Sequence, residues 1–260
     1  MQLSVIGAES SGISYLVSSG STRVLIDCGI SASVMRSRLA AMEIDPQSIA
    51  AAVLTHEHSG HSRGLMNHGF GQDFPVFTSH WTGEVLRADE DTIPRVHWNA
   101  VPEGGAFQID SLSFQSFPVH HDAIDPLGYL IEDLENGFRL GVTGDVGHVT
   151  TSLTDSLATA DWVLIHANHD EDALKSDPTI EPNSKARLTN RHGHLSNQQA
   201  GDLAVVLACR GCLDGVLLGH LDERCNTPAR ATAEIDAGLA AAARQEIRVR
   251  CLKAGQTHEW

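Results

Sequence analysis

His56-Glu57-His58-Ser59-Gly60-His61 places three histidines within six residues, directly after the apolar run Ala51-Ala52-Val53-Leu54. A neutral imidazole is a good nitrogen ligand for zinc-like divalent ions. A single loop histidine needs no explanation beyond contact with solvent. Three at i, i+2 and i+5 point to metal binding, because a rigid strand end can hold ligands in place.

Other candidate ligands stand at the ends of further predicted strands. His120-His121-Asp122 follows a strand over 114–117, Gly144-Asp145 one over 140–142, and His220 one over 216–218. A metal site needs ligands that converge from separate elements onto one rim. Each of these residues alone reads as a solvated loop position, but four strand ends that each carry one read as a constellation.

Short strands at 3–6, 15–17 and 24–26 are separated by Gly/Ser-rich turns, and the third runs into Asp27-Cys28-Gly29. A helix over 33–42 is stopped by Asp45-Pro46. A short helix is expected over 63–67, a strand at 76–77 and a helix over 79–86. Residues 107–143 are β-rich, with Asn136-Gly137 as a hairpin turn. Strands at 162–165 and 216–218 then alternate with helices that include 197–208 and 229–243, and a last strand falls at 247–249. Strands first and βα units later fit two sheets packed face to face with helices outside.

The chain resembles the metallo-β-lactamase-fold hydrolases, whose motif is H-x-H-x-D-H with His, Asp and His on later loops. Within them it is similar to the YycJ/WalJ-type branch, described as 5′→3′ exodeoxyribonucleases. The likeness is carried by Ser10-Ser11-Gly12, Leu25-Ile26-Asp27-Cys28-Gly29 and the run from His121 to Tyr129. It continues through Asn168-His169-Asp170, Gly193-His194-Leu195-Ser196-Asn197, Gly219-His220-Leu221 and Asn226-Thr227-Pro228. The segment 193–197 also resembles one in tRNase Z. The resemblance implies a four-layer αββα domain over 1–260 and two adjacent divalent metals, zinc or manganese first, with iron possible. It assigns His56, His58 and His121 to the first metal, with Asp145 bridging, and His61, His220 and Asp145 to the second. His120 is the alternative to His121. It implies a nucleic-acid substrate, DNA before RNA. Asp145 and His194 would act in catalysis, with His194 contacting the scissile phosphate or protonating the leaving oxygen. Ser196, Asn197 and Asn226 could offer neutral donors to phosphate, although Ser196 and Asn226 equally read as helix caps. Arg187 and Arg191 could steer the backbone. Asp27 is expected to orient the histidine loop through hydrogen bonds.

Two positions depart from the pattern. Gly60 stands where the motif has aspartate, so this position offers no side-chain ligand. A water, Asp122 or Glu57 could substitute, the protein could work with one tight metal, or hydrolysis could be lost in a binding protein. His166 stands where the branch leads one to expect an acidic residue, which is either a change around the ligands or an adjusted ligand set.

At 260 residues the chain can bury a substantial core. No segment has the length of a membrane span and no basic, apolar leader is present, so a cytoplasmic protein is expected. Five cysteines without framework spacing suit reduced thiols, and Cys209-x-x-Cys212 reads as packed within a helix. The net charge of −15 argues against indiscriminate nucleic-acid binding. Residues 185–253 nevertheless hold ten Lys/Arg against seven Asp/Glu, which leaves room for a local basic face. The same fold hosts RNA-processing nucleases, small phosphodiesterases, thioesterases and lactonases, so fold alone does not choose the substrate. The sequence assigns no oligomeric state.

Overall fold

The computed structural model describes residues 1–9, 12–65, 74–88 and 96–260. Alternation along the strands decides the architecture, because neighbouring side chains on a strand point to opposite faces. One sheet comprises β1 (Gln2–Glu9), β2 (Gly12–Ser19), β3 (Thr22–Ile26), β4 (Ala51–Val53), β5 (Pro75–Thr78) and β6 (His97–Ala100), with β14 (Thr257–Glu259) added outside β1. The other runs in the order β13 (Arg248–Cys251), β12 (Gly215–Gly219), β11 (Trp162–His166), β10 (Arg139–Val142), β9 (Leu127–Asp133), β8 (Leu112–Pro118) and β7 (Ala106–Ile109).

Tyr15, Val17, Val24 and Ile26 of the first sheet meet Phe114, Tyr129, Ile131 and Leu164 of the second in a core between the sheets. The alternate residues Leu16 and Leu25 pack outward with Met35 and Leu39 of α1 (Ala32–Ala41) and Leu86 of α3 (His80–Arg87). Val163, Ile165, Val216 and Leu218 do the same with α7 (Asn197–Arg210) and α8 (Pro228–Ala241), through Leu203, Leu207, Ile235 and Leu239. The layers are therefore αββα. Each fully buried Leu or Ile contributes about 1.5–3 kcal/mol, so the three clusters carry most of the fold's stability.

Strand direction places the chemistry. β3, β4, β5 and β6 pair in parallel, as do β10, β11, β12 and β13. Asp27 follows β3, His56 follows β4, Asp145 follows β10, His166 ends β11 and His220 follows β12. All lie at carboxyl ends of parallel strands, where open α/β sheets present their sites.

Three expectations change. The segment after the histidine cluster forms α2 (Ser59–Ser62) and a 3₁₀ turn, Arg63–Leu65; the rest of the expected 63–67 helix lies outside the described residues, as do Ser10, Ser11 and His68. The strand expected to be last is followed by β14, whose Thr-His-Glu sequence carries no apolar alternation to announce it. Cys209 and Cys212 are exposed rather than packed, because they lie in the last turn of α7, which ends at Arg210, and just beyond it. No helix among the described residues is long and apolar enough to cross a membrane.

Candidate metal centre

Asp27 organises the first set of histidines. Immediately after β3 it adopts φ +59°. Its Oδ1 accepts the Thr55 backbone N–H at 2.8 Å, and its Oδ2 accepts the Thr55 hydroxyl at 2.9 Å and lies 2.7 Å from His61 Nδ1. Thr55 Oγ1 in turn lies 3.0 Å from His56 Nδ1. Both imidazoles are therefore held by Nδ1 and present Nε2 to the pocket, the construction usual for histidine ligands. The expected orienting role of Asp27 is what this geometry describes. The turn carrying His58 and His61 is pinned by Cys28 N–H to His61 O at 2.6 Å and Gly64 N–H to Cys28 O at 2.6 Å. It lies so close that a Cβ on Gly29 would overlap the Gly60 carbonyl, whereas a Cβ on Gly60 itself meets nothing within 4 Å.

The second sheet supplies the other half. Asp145 is buried, and its two oxygens face different nitrogens. Oδ2 lies 3.1 Å from His61 Nε2, 3.7 Å from His121 Nε2 and 3.8 Å from His56 Nε2. Oδ1 lies 2.7 Å from both His166 Nδ1 and His220 Nδ1, and 3.7 Å from His194 Nδ1. His121 Nδ1 is tied to Gly193 O at 2.8 Å, which turns Nε2 inward, 3.2 Å from His58 Nδ1. His120 is exposed and bridges instead to His148. His220 takes φ +53°, and Asn168 Nδ2 donates to its carbonyl at 3.1 Å. The Asn-His-Asp segment thus fixes the loop of a candidate ligand.

Seven imidazoles, six of them within 4 Å of one carboxylate, make a donor set suited to divalent ions, and four overlapping triads could each hold one: His56/His58/His121, His56/His61/Asp145, His121/Asp145/His194 and Asp145/His166/His220. His56 Nε2 and His194 Nδ1 are buried without a hydrogen-bond partner among the described residues, a cost that a bound cation removes. The residues fit a metal. Charge supports this reading at His56, His194 and Asp145, while His61 must give up a proton to bind an ion. Burial pushes His56 well down and His194 down to about 3, leaving both as neutral, ligand-competent rings. Burial opposes a charge on His61 as well, but Asp145 and Asp27 push it up to about 10. Burial would raise the Asp145 carboxyl, yet His220 and His61 hold it well below the usual range, so it stays anionic. His61, which the resemblance groups with His220, lies on the Oδ2 side with His56.

Other expected residues fall elsewhere. Ser196 caps α7 in a reciprocal capping box with Gln199 and donates to Glu171. Asn197 and Asn226 donate to each other at 3.0 and 2.8 Å, and Asn226 also donates to Ala167 O. The cap of α8 is Thr227, not Asn226. All three candidate phosphate donors are buried with these polar groups engaged by protein partners. Glu57 Oε1 accepts Ile124 N–H while its Oε2 is buried without a hydrogen-bond partner among the described residues, and Asp122 binds Arg187 in a two-pronged ion pair at 2.5 and 3.1 Å with Oδ1 also 3.2 Å from His121 Nε2, on the His58/His121 side of the pocket. Arg187 stays more than half exposed at the rim, and Arg191 is exposed. Sequence reasoning missed Thr55 and Tyr15. A threonine beside the first histidine and a tyrosine on a core strand carry no signal until the strands are placed.

A model of the beta-lactamase superfamily domain matches residues 22–211, and this chain belongs to that superfamily. It is a metal-dependent hydrolase with the metallo-β-lactamase fold. It is 27% identical over 225 residues to exodeoxyribonuclease WalJ of Streptococcus pneumoniae serotype 2, covering 86% of this chain and 82% of that one. Ribonuclease Z of Mycolicibacterium gilvum is 27% identical over 199 residues, covering 66% and 67%. The crystal structure of the metallo-beta-lactamase fold protein YhfI from Bacillus subtilis superposes with TM-score 0.74 over 100% of this chain and 99% of its own, at 15% identity.

Proposed function

We propose that this chain is a phosphodiesterase acting on DNA, as a 5′→3′ exonuclease, with His56, His58, His61, His121, Asp145 and His220 as metal ligands. The observation that carries the reading is the buried Asp145 carboxylate, whose two oxygens each face a separate group of imidazole nitrogens. A phosphodiester resists hydrolysis because its negative charge repels nucleophiles. Zinc or manganese bound here would supply an activated water near neutral pH and neutralise charge on the phosphoryl oxygens. The protein's own residues do the rest. Asp27 and Thr55 hold His56 and His61 in register, and Gly193 O holds His121. His194, whose Nδ1 has no hydrogen-bond partner among the described residues and lies 3.7 Å from Asp145 Oδ1, would contact the scissile phosphate or the leaving oxygen. Arg187, paired with Asp122 at the rim, would meet the backbone. The acidic chain favours a confined substrate path over open duplex binding. Five free cysteines suit a reducing cytoplasm, and we read 1–260 as one domain because β14 pairs with β1.

The test is digestion of 5′-labelled single- and double-stranded DNA with added manganese or zinc and a chelator control. Progressive, metal-dependent release of label from the 5′ end is expected. Folded protein that cleaves no DNA under either metal sinks the reading. The similarity to ribonuclease Z favours RNA as the second substrate class, so a labelled RNA is digested in parallel.

A further inference from the structure

Position 60 has no side chain to offer, and the two nearby acids serve the other side of the pocket: Asp122 pairs with Arg187 and has Oδ1 3.2 Å from His121 Nε2 and 3.9 Å from His58 Nε2, and Glu57 Oε1 accepts Ile124 N–H. Something else must complete the Oδ1 side of Asp145 if that side is to hold an ion. His166 is the residue there. It is the last residue of β11, fully enclosed, with Nδ1 2.7 Å from Asp145 Oδ1. Its ring centroid lies 5.2 Å from that of His220, and Nδ1 of both rings and the Asp145 carboxylate form one of the triads whose donor atoms fall within 4.8 Å of each other.

The surroundings of His166 repeat the construction of the other candidate ligands. His56, His61 and His121 each have the outer ring nitrogen tied, to Thr55 Oγ1, Asp27 and Gly193 O respectively, with the inner nitrogen directed at Asp145. In His166 the outer nitrogen is Nε2, 3.4 Å from the hydroxyl of Tyr15 on β2. With the ring proton on Nε2 and donated to that hydroxyl, the Nδ1 lone pair faces the pocket, the tautomer that coordination requires. A residue serving only as a hydrogen-bond donor to Asp145 would need the opposite tautomer.

We propose that His166 is itself a metal ligand, completing with His220 and Asp145 a second position that lacks the motif carboxylate, and that Tyr15 is its positioning residue. This rests on the reading of the pocket as a metal centre. The consequence is a nitrogen-rich second site, which suits zinc over the oxygen-preferring manganese.

The test uses the full chain, stripped with chelator and reloaded with Co(II). Metal equivalents are counted by mass spectrometry, and the hyperfine-shifted imidazole N–H resonances are counted by NMR. His166→Ala is expected to lose one equivalent and one shifted resonance, and to bind the ion at that position more than about 100-fold more weakly, beyond the 10–100-fold typical of an orienting partner. Tyr15→Phe is expected to keep both equivalents while the His166 N–H exchanges faster with solvent. His166→Ala combined with Gly60→Asp is expected to regain the lost equivalent, since a Cβ at position 60 has open space. If His166→Ala does not fold by circular dichroism, His166→Gln is read in its place. A folded His166 variant with unchanged metal content and an unchanged count of shifted resonances overturns the proposal. Wild-type protein that binds no Co(II) overturns instead the reading of the pocket as a metal centre.

Discussion

Asp27 never enters the pocket, yet through Thr55 it reaches one imidazole and by its own oxygen a second. Asp27→Asn keeps the shape but cannot accept at both oxygens, so His56 and His61 lose their fixed tautomers. Metal affinity or turnover is expected to fall about 10–100-fold, measured by competition with a chromophoric chelator and by DNA digestion. Unchanged values in both would show that the histidine loop holds itself. His194 calls for a different signature. Its Nδ1 has no hydrogen-bond partner among the described residues, so His194→Ala should lower kcat on the order of 10²–10⁴-fold while metal content stays at the wild-type level. Loss of a metal equivalent in that variant would move His194 into the ligand set, as the His121/Asp145/His194 triad allows.

At the scale of elements, the paired amides of Asn197 and Asn226 lock the start of α7 to the loop entering α8, and the helix cap Ser196 sits beside them. Asn197→Ala removes one of the two hydrogen bonds at each end of the buried Asn226 amide, leaving those to Ala167 O and Thr227 N–H, which costs about 0.5–1.5 kcal/mol per bond. Urea denaturation should show that loss, with activity per folded molecule retained; a selective loss of DNA affinity at full stability would return Asn197 to the substrate. This pair also shows where sequence legibility stops. The strands that carry ligands announce themselves, because β4, β10 and β12 are short apolar runs ending abruptly in His or Asp. Helices α7 and α8 show the apolar spacing and caps that define their bounds. Polar residues next to a motif histidine carry no mark of whether they face solvent, phosphate or each other, since that depends on contacts between segments dozens of residues apart. Asn197 and Asn226 thus read as substrate donors in sequence and prove to be mutual partners. His166 shows the reverse case: it stands out in sequence only as a departure, and its place beside Asp145 emerges from the parallel pairing of β10 with β11.

For the whole molecule, the two sheets are joined at one end by Asp133, at the end of β9, which accepts from Ser19 Oγ of β2 at 2.7 Å and lies 2.9 Å from the Met1 ammonium. Burial would raise this carboxyl, but the Ser19 hydroxyl, the ammonium and the Glu135 N–H together hold it below the usual carboxylate range. A carboxyl depressed in the folded state stabilises fully above its unfolded value, and that contribution is lost as pH falls through the folded value. Thermal stability should therefore decline through the acid range below about pH 4, and Asp133→Asn should flatten that decline. The opposite end of the sandwich holds His56, His58 and His61 from the first sheet against His121, Asp145 and His220 from the second. A cation gripped from both sides would act there as a rivet through the two plates. Its free energy of binding would then be holding force as well as chemistry, about 2.7 kcal/mol at a free-ion level of one hundred times Kd. Amide hydrogens at the ends of β4 and β12 would exchange more slowly in the loaded protein, and chelation would let that edge breathe while the Asp133 end stayed shut.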